Sequence, residues 1–365
     1  MNPARSSRLG AASALLAVFL LAACGGDQTN KNPDAGTTGS RDGGTRTQAG
    51  GPPAGEIRFG IPEAPAKPEG AIRLTTYNIE NLFDDIDDPT LSGRDEDIDD
   101  LKPREERAAA AAAIRAVDAD ILCLQEVESL EALLWFRDEF LADMGYEHVA
   151  SIDAGNERGI EQSVLSRYPI KSVENWPGAE LGGTHPEMYG NEPNDYAGQP
   201  ILLRRSPLKA VVEIPGADGP YALTLFVMHH KSGRYNNYWR EAEARYMVAK
   251  LRDELSADPD ENIVVLGDFN AQRGADSVEP YLDAGFVDPF DPWEGAETER
   301  ITHSSGRRID LLLLSPTVLP EVVPGSAFVL GTIARPAGAD WRSPAPEGYA
   351  SDHYPVSVDL VPVDR

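Results

Sequence analysis

Five short polar segments stand out in this sequence. They are Thr76-Tyr77-Asn78-Ile79-Glu80-Asn81, Leu124-Gln125-Glu126-Val127, Met228-His229-His230-Lys231-Ser232, Gly267-Asp268-Phe269-Asn270 and Ser351-Asp352-His353-Tyr354-Pro355. Each puts an Asn, Asp, Glu or His where the chain leaves a sheet, and four of them close an apolar run. Oxygen ligands gathered from several strand ends suit a magnesium- or calcium-type ion. Histidines beside such an ion can orient a phosphate or donate protons. Taken singly, each segment is weak: Gly-Asp-Phe-Asn could be a turn and Ser-Asp-His-Tyr-Pro a loop. Together and in this order they are a strong signal.

The elements that must position them alternate between strand and helix. Ile72 to Tyr77, Ile121 to Leu124, Val164-Leu165, Ile201 to Leu203, Ala210 to Ile214, Ala222 to Met228, Ile263 to Leu266, Ile309 to Leu314 and Val356 to Val361 read as strands. Arg104 to Val117, Leu130 to Met144 (ended by Gly145) and Tyr238 to Leu255 read as helices. No helix separates the runs between 201 and 228, so they should be antiparallel. The mixture predicts two packed sheets flanked by helices in one domain.

Composition narrows the class. The chain has 365 residues, 41% of them hydrophobic, enough for a large core. A net charge of -27 argues against gripping nucleic acid by bulk electrostatics. It leaves room for an acidic substrate held through bound cations. Arg5 and Arg8 precede an apolar run, Ala11 to Ala22, that is too short to span a bilayer. That run ends in Leu21-Ala22-Ala23-Cys24, which resembles the lipobox of bacterial lipoproteins. The resemblance implies a signal peptide over 1–23, lipidation of Cys24, and an outer-membrane or cell-surface address. Residues 25–70 hold 11 Gly and 6 Pro in 46, so 24–70 is expected to be a flexible tether to a domain spanning 71–365. Cys123 lies in an apolar run and should be a buried, quiet thiol.

From about Ile72 to Val361 the motifs resemble the endonuclease/exonuclease/phosphatase superfamily, with its deoxyribonuclease I-like fold. The opening Tyr77-Asn78-Ile79-Glu80-Asn81-Leu82-Phe83-Asp84 is similar to that of secreted bacterial members, as is Arg158-Gly159-Ile160-Glu161 before Val164-Leu165-Ser166-Arg167. The resemblance implies an α/β four-layer sandwich of two packed mixed sheets flanked by helices. It places Asn78, Glu126 and Asp352 at a metal site for Mg²⁺, with Mn²⁺ or Ca²⁺ as alternatives. Asp268 and Asn270 match the pair that positions water and the scissile phosphate. His353 matches a catalytic histidine oriented by Asp310, and His229 matches the other active-site histidine. Glu161 stands where secreted relatives carry an aspartate that pairs with that histidine.

The chemistry is consistent with these roles. A phosphodiester repels hydroxide, so its hydrolysis needs charge neutralisation, an aligned water and a stabilised leaving oxygen. The implied activity is that of a divalent-metal-dependent phosphodiesterase, a monomer tethered to the membrane by lipid and acting on DNA, RNA or another phosphodiester. The alternative is a phosphatase or sphingomyelinase-like phospholipase of the same superfamily. One departure counts against nucleic acid: Gln199 stands where nucleases commonly carry an arginine, and Arg204 and Arg205 lie further along. Of the other histidines, His148 and His230 should be structural and His185 solvated, while His303 is a candidate substrate contact. The acidic loop from Glu80 to Asp100 is a candidate structural calcium site, although it lacks a regular calcium-loop spacing.

Overall fold

The computed structural model describes residues 55–89, 91, 101–216, 219–339 and 343–364. The signal peptide, Cys24, the tether up to residue 54 and residues 90 and 92–100 of the acidic loop lie outside these residues. Among them, no helix is long and apolar enough to cross a membrane.

Two sheets carry the fold. The first runs Phe328–Val329, Val356–Leu360, Ile72–Leu82, Ile121–Val127, Glu161–Ser166, His148–Ser151 across its width. The second runs Asp310–Leu314, Ile263–Asp268, Gly219–His229, Leu208–Gly216, Ile170–Glu174. Both are mixed. Ile72–Leu82 is parallel to Ile121–Val127, Gly219–His229 is parallel to Ile263–Asp268, and their other neighbours are antiparallel. One core cluster fills the space between the sheets, with Leu74, Cys123 and Val164 from the first and Leu225, Val264 and Leu312 from the second. Full burial of each such aliphatic chain contributes roughly 1.5–3 kcal/mol. Cys123 is fully buried as expected, and burial pushes its thiol pKa up.

Helices cover the two outer faces. Arg104–Val117 and Leu130–Phe140 pack on the first sheet through Ala110, Ile114, Leu133 and Phe136. The alanine run makes the first of these a strong helix former, and Asp118 ends it in the left-handed conformation at φ 52°. Ser129 starts the second by accepting the N–H of Ala132 at 3.0 Å. That helix stops at Phe140, short of the expected Met144, where the chain turns so that the Tyr146 hydroxyl reaches the Ala119 carbonyl at 2.9 Å. Asn237–Ala257 covers the second sheet through Ala244, Met247 and Leu251. The four layers are those of the deoxyribonuclease I-like sandwich.

Two expectations need correction. The strand at Pro200–Leu202 does not join its antiparallel neighbours at 208–229; it pairs with Glu180–Thr184 in a separate two-stranded sheet. The described part of the expected tether, 55–70, is docked. Glu56–Ile57 pairs with Ile333–Ala334, and Ile61 donates to Val329 at 2.8 Å. Lys67 reaches Asp120 at 2.5 Å, and buried Arg73 donates to the Pro65 carbonyl at 2.9 Å as well as to both oxygens of Asp359. Proline and glycine content hid these pairings, because backbone and charge contacts make them rather than a large apolar face.

Candidate active site

The polar segments meet because the two parallel strand pairs end at the same edge, while the antiparallel strands Asp310–Leu314 and Val356–Leu360 begin there. In the second sheet the register places His229 opposite Asp268 and Asp268 opposite Asp310. In the first sheet Asn78 lies opposite Gln125, one residue before Glu126. Backbone strain concentrates at this edge. Four of the five non-glycine residues with positive φ among the described residues are here: Glu80, Asn81, Glu126 and Asn270. Such conformations cost energy and persist only where the surroundings fix them. At Glu126 and Asn270 they turn the chain off the strand and carry side chains into the site.

Asp268 is the hub. Its Oδ2 accepts from the amides of Asn78 at 3.3 Å and Asn270 at 3.0 Å, and its Oδ1 accepts the N–H of Asn270 at 2.7 Å. The same Oδ2 lies 3.7 Å from Nε2 of His229 and 3.9 Å from Nε2 of His353. Burial, together with Asp310 and Glu126 and against the pull of His353, raises the Asp268 pKa to about 7. Asn270 also donates to the His230 carbonyl at 3.1 Å, which holds the amide in place.

The two histidines are held in opposite charge states. His353 Nδ1 donates to both oxygens of Asp310, at 3.0 and 2.9 Å. Burial opposes a charge on His353, but Asp310, Asp352 and Asp268 outweigh it and hold its pKa well above the ordinary value. His229 has its pKa driven well below the ordinary value by burial and by the Arg205 guanidinium, which donates to its Nε2. An Nε2 that accepts puts the ring proton on Nδ1, and that atom has no partner. The expected pair between Glu161 and His229 is therefore not formed. The Glu161 carboxylate instead accepts the N–H of Ala154 and lines an acidic cleft with Asp84, Glu128 and Asp153.

On the other side, Asp352 sits 3.1 Å from Nε2 of His303 and 3.8 Å from Nε2 of His353. Burial disfavours its charge, yet His353, His303 and Lys102 keep its pKa below the usual carboxylate range. Glu80 accepts the Tyr349 hydroxyl at 2.7 Å and the N–H of Asp352 at 3.1 Å, and burial beside Asp352 lifts its pKa to about 7. Glu126 accepts from Asn78 at 3.2 Å and from the N–H of Asn81 at 3.2 Å.

The donor set fits a hard divalent cation. Glu126, Asp268, Asp352 and Glu80 crowd one edge with oxygens, and two of the four are pushed towards neutrality by their neighbours. A cation would relieve that crowding. Among the described residues, His303, Asp352 and His353 offer ligand atoms within 4.8 Å of one another, as do Asp268, Asp310 and His353. Of the expected ligands, Asp352 belongs to the first of these groups, while Glu126 and Asn78 lie on the same edge, hydrogen-bonded to each other at 3.2 Å.

Two site residues escaped the sequence reading. Arg205, expected to stand apart, is buried and donates to His229, to the His230 carbonyl at 3.3 Å and to Ser232 at 3.3 Å. Glu80 stood in the first polar segment and at the start of the acidic loop, but was given no role of its own. His303 does reach the site, through Asp352. His230 is structural as expected: it points to the opposite face, buried against Phe269 and 3.2 Å from the Tyr281 hydroxyl. His185 is not solvated; it is buried and packed edge-on to Trp239, with Nδ1 2.8 Å from the Tyr238 hydroxyl.

Comparison with known proteins agrees with this fold. The model of the Endonuclease/Exonuclease/phosphatase family matches residues 75–353. The human nocturnin catalytic domain, solved with a bound sulfate anion, is similar in fold at TM-score 0.52 and 14% identity, covering 80% of this chain and 95% of that one. A TDP2 of D. rerio, humanized by 14 mutations, superposes at 0.51 with 16% identity over 80% of this chain and 99% of that one. An endonuclease/exonuclease/phosphatase from Bacteroides vulgatus does so at 0.50 with 15% identity over 80% and 98%. No significant match is found among curated proteins. With the family's motifs spread across both sheets and gathered at one edge, the chain belongs to the endonuclease/exonuclease/phosphatase family of phosphoester hydrolases.

Proposed function

We propose that the protein is a divalent-metal-dependent phosphodiesterase, and specifically a nuclease acting on DNA or RNA. One observation carries the reading: Asp268 lies between His229 and His353, 3.7 and 3.9 Å from their Nε2 atoms. In this reading Glu126, Asp352 and Asn78 would hold Mg²⁺, whose charge would offset that of the phosphate. Asp268, with a pKa near working pH, takes the proton of the attacking water, and Asn270 keeps its carboxylate aimed. His353, charged by Asp310, donates to a phosphate oxygen. Arg205 supplies fixed positive charge beside His229. A buried arginine beside the site supports a nucleic-acid substrate, while Gln199 still departs from the nuclease pattern.

The same proposal places the enzyme outside the cytoplasm, tethered as a monomer through lipid on Cys24, with an outer-membrane or cell-surface address. The lipobox-like Leu21-Ala22-Ala23-Cys24 supports this reading. A Cys24→Ser variant recovered in the soluble fraction, against a membrane-bound wild type, would be the expected result.

Activity is tested on plasmid DNA, RNA, bis-p-nitrophenyl phosphate and sphingomyelin, with Mg²⁺ plus Ca²⁺ or with EDTA. A His353→Ala variant controls for contaminating nuclease. Cation-dependent nicking of DNA or cleavage of RNA, absent in the variant, is expected. Turnover of the small diester or the lipid alone would overturn the nuclease assignment while keeping the site.

A further inference from the structure

A second cavity, of about 360 Å³, opens beside the catalytic edge. It lies between residues 156–158, the hairpin strands Met188–Tyr189 and Glu192–Pro193, residues 204–205 and the start of helix Asn237–Ala257. In a chain of net charge -27 its wall carries four cations, Arg158, Arg204, Arg205 and Lys231, against Glu157 and Asp195.

Lys231 is the informative one. Its Nζ lies 5.3 Å from the Trp239 ring, and among the described residues no carboxylate pairs with it. Burial and neighbouring Arg205 push its pKa down to about 8, so it is still charged at neutral pH. Glu243 and Glu157 act on it only from beyond ion-pairing distance, so a half-buried ammonium remains there at a cost that a docked anion would offset. Arg204 lies over the Tyr196 ring at 5.7 Å, and among the described residues its one ion-pair partner is the exposed Glu157 at 3.6 Å. The aromatic groups are held in advance of any ligand. The Tyr238 hydroxyl meets His185 at 2.8 Å, and the Tyr189 hydroxyl accepts from Asn236 at 3.4 Å. Arg205 belongs to both sites, so the cavity adjoins His229.

We propose that this cavity is a nucleotide subsite, seating the nucleoside next to the scissile phosphate with its ring against Tyr189 and Tyr196 and its further phosphate on Lys231 and Arg204. The proposal rests on the phosphodiesterase reading and names its substrate. The volume lies within the range of small-molecule pockets, and flat rings beside cations are what a nucleotide requires.

The test is calorimetric titration of the full chain in EDTA with thymidine 3′,5′-bisphosphate, thymidine 5′-monophosphate, a ring-less ribose bisphosphate and inorganic phosphate. The nucleoside bisphosphate should bind about tenfold more tightly than the monophosphate or the ring-less compound. Lys231→Gln and Arg204→Gln should each reduce the preference over the monophosphate several-fold, and Lys231→Arg should restore it. Tyr196→Ala should reduce the preference over the ring-less compound. Equal affinities for all ligands, or variants that bind like wild type, would overturn the subsite. Equal binding of the ring-less bisphosphate would overturn its nucleotide character. Hydrolysis of bis-p-nitrophenyl phosphate, run in parallel with Mg²⁺, tests the enzymatic reading separately. Absent turnover with the bisphosphate preference intact would sink that reading and leave the subsite standing.

Discussion

The Arg205 guanidinium donates to Nε2 of His229; the contact sets the tautomer of the histidine and adds to burial in keeping it neutral. It also means that the residue supplying permanent positive charge and a site histidine act as one unit. Arg205→Ala should lower kcat/KM about 10²-fold, the scale of losing one fixed electrostatic donor. It should also raise the His229 pKa, since a cation is removed, but leave it below the ordinary value because burial persists. A proton NMR titration of His229 in wild type and variant checks the second outcome. An unchanged pKa would mean that the guanidinium does not control the ring.

Asp310 holds the charge on His353 through two hydrogen bonds from Nδ1. Asp310→Asn keeps the shape and removes the carboxylate. Burial then acts on His353 with less opposition, so its pKa falls. If the imidazolium is the working form, activity is present below the His353 pKa and is lost as pH rises through it. The alkaline limb of the pH–rate profile should therefore move to lower pH in Asp310→Asn, with kcat reduced about 10²-fold or more. A uniform loss of rate with no movement of that limb would contradict the role given to Asp310.

Carboxylate crowding makes a prediction about metal. Asp268 and Glu80, both raised to about 7, should shed their protons when a cation binds. Metal affinity should thus increase as pH rises through 7. At an Mg²⁺ concentration 100 times its Kd, stability should rise by about 2.7 kcal/mol. Glu126→Gln and Asp352→Asn should lose most of that gain as well as the hydrolytic activity. Thermal melts with and without Mg²⁺ at pH 6 and pH 8 measure it, and melts that ignore the ion at both pH values would count against the assigned ligands.

Most of the site was legible because its residues lie at the ends of short apolar strands, where a sequence reading is strongest. Asn78, Glu126, His229 and Asp268 all come from such ends. Asp310 opens a strand that enters the same edge, and Asp352 and His353 lie just before another. Arg205 was not legible, because it lies in the irregular stretch after Pro200–Leu202 and reaches His229 through a long side chain. No periodicity announces such a reach. Glu161 was misplaced for a related reason. Its motif is right, but between Gln125 and Val127 the register shifts, and the carboxylate ends on Ala154 instead of the histidine. His185 looked solvated within a Gly/Pro-rich stretch, yet Tyr196, Tyr238 and Trp239 close around it from distant positions.

Glu161 carries a stability prediction from its own environment. Burial first, and Asp153 second, raise its pKa to about 8 despite the Ala154 N–H. A carboxyl with a raised folded-state pKa binds its proton more tightly when folded. Its contribution is fully present below the unfolded value of 4.5 and is lost as pH rises towards 8. Glu161→Gln removes the titration, so the variant should be more stable than wild type at pH 8 by about 2–4 kcal/mol and nearly equal at pH 4. Denaturant melts across that window decide it. Destabilisation by Glu161→Gln at pH 8 would show that the ionised carboxylate is needed where it sits.

Gly267 governs where the hub carboxylate stands. Its φ is +138°, and a Cβ placed there would lie 2.1 Å from the Met228 carbonyl oxygen on the adjacent parallel strand. No side-chain rotation relieves a contact with backbone. Gly267→Ala must therefore push Gly219–His229 and Ile263–Asp268 apart, beside the row that pairs His229 with Asp268. Overpacking of this kind typically costs about 1–3 kcal/mol. The same displacement moves Asp268 away from the two histidines, so kcat should fall more than the loss of folded protein accounts for. Activity per folded molecule, with the folded fraction taken from the same melts, separates the two effects. Full specific activity in a merely destabilised variant would mean that the spacing of these two strands does not set the position of Asp268.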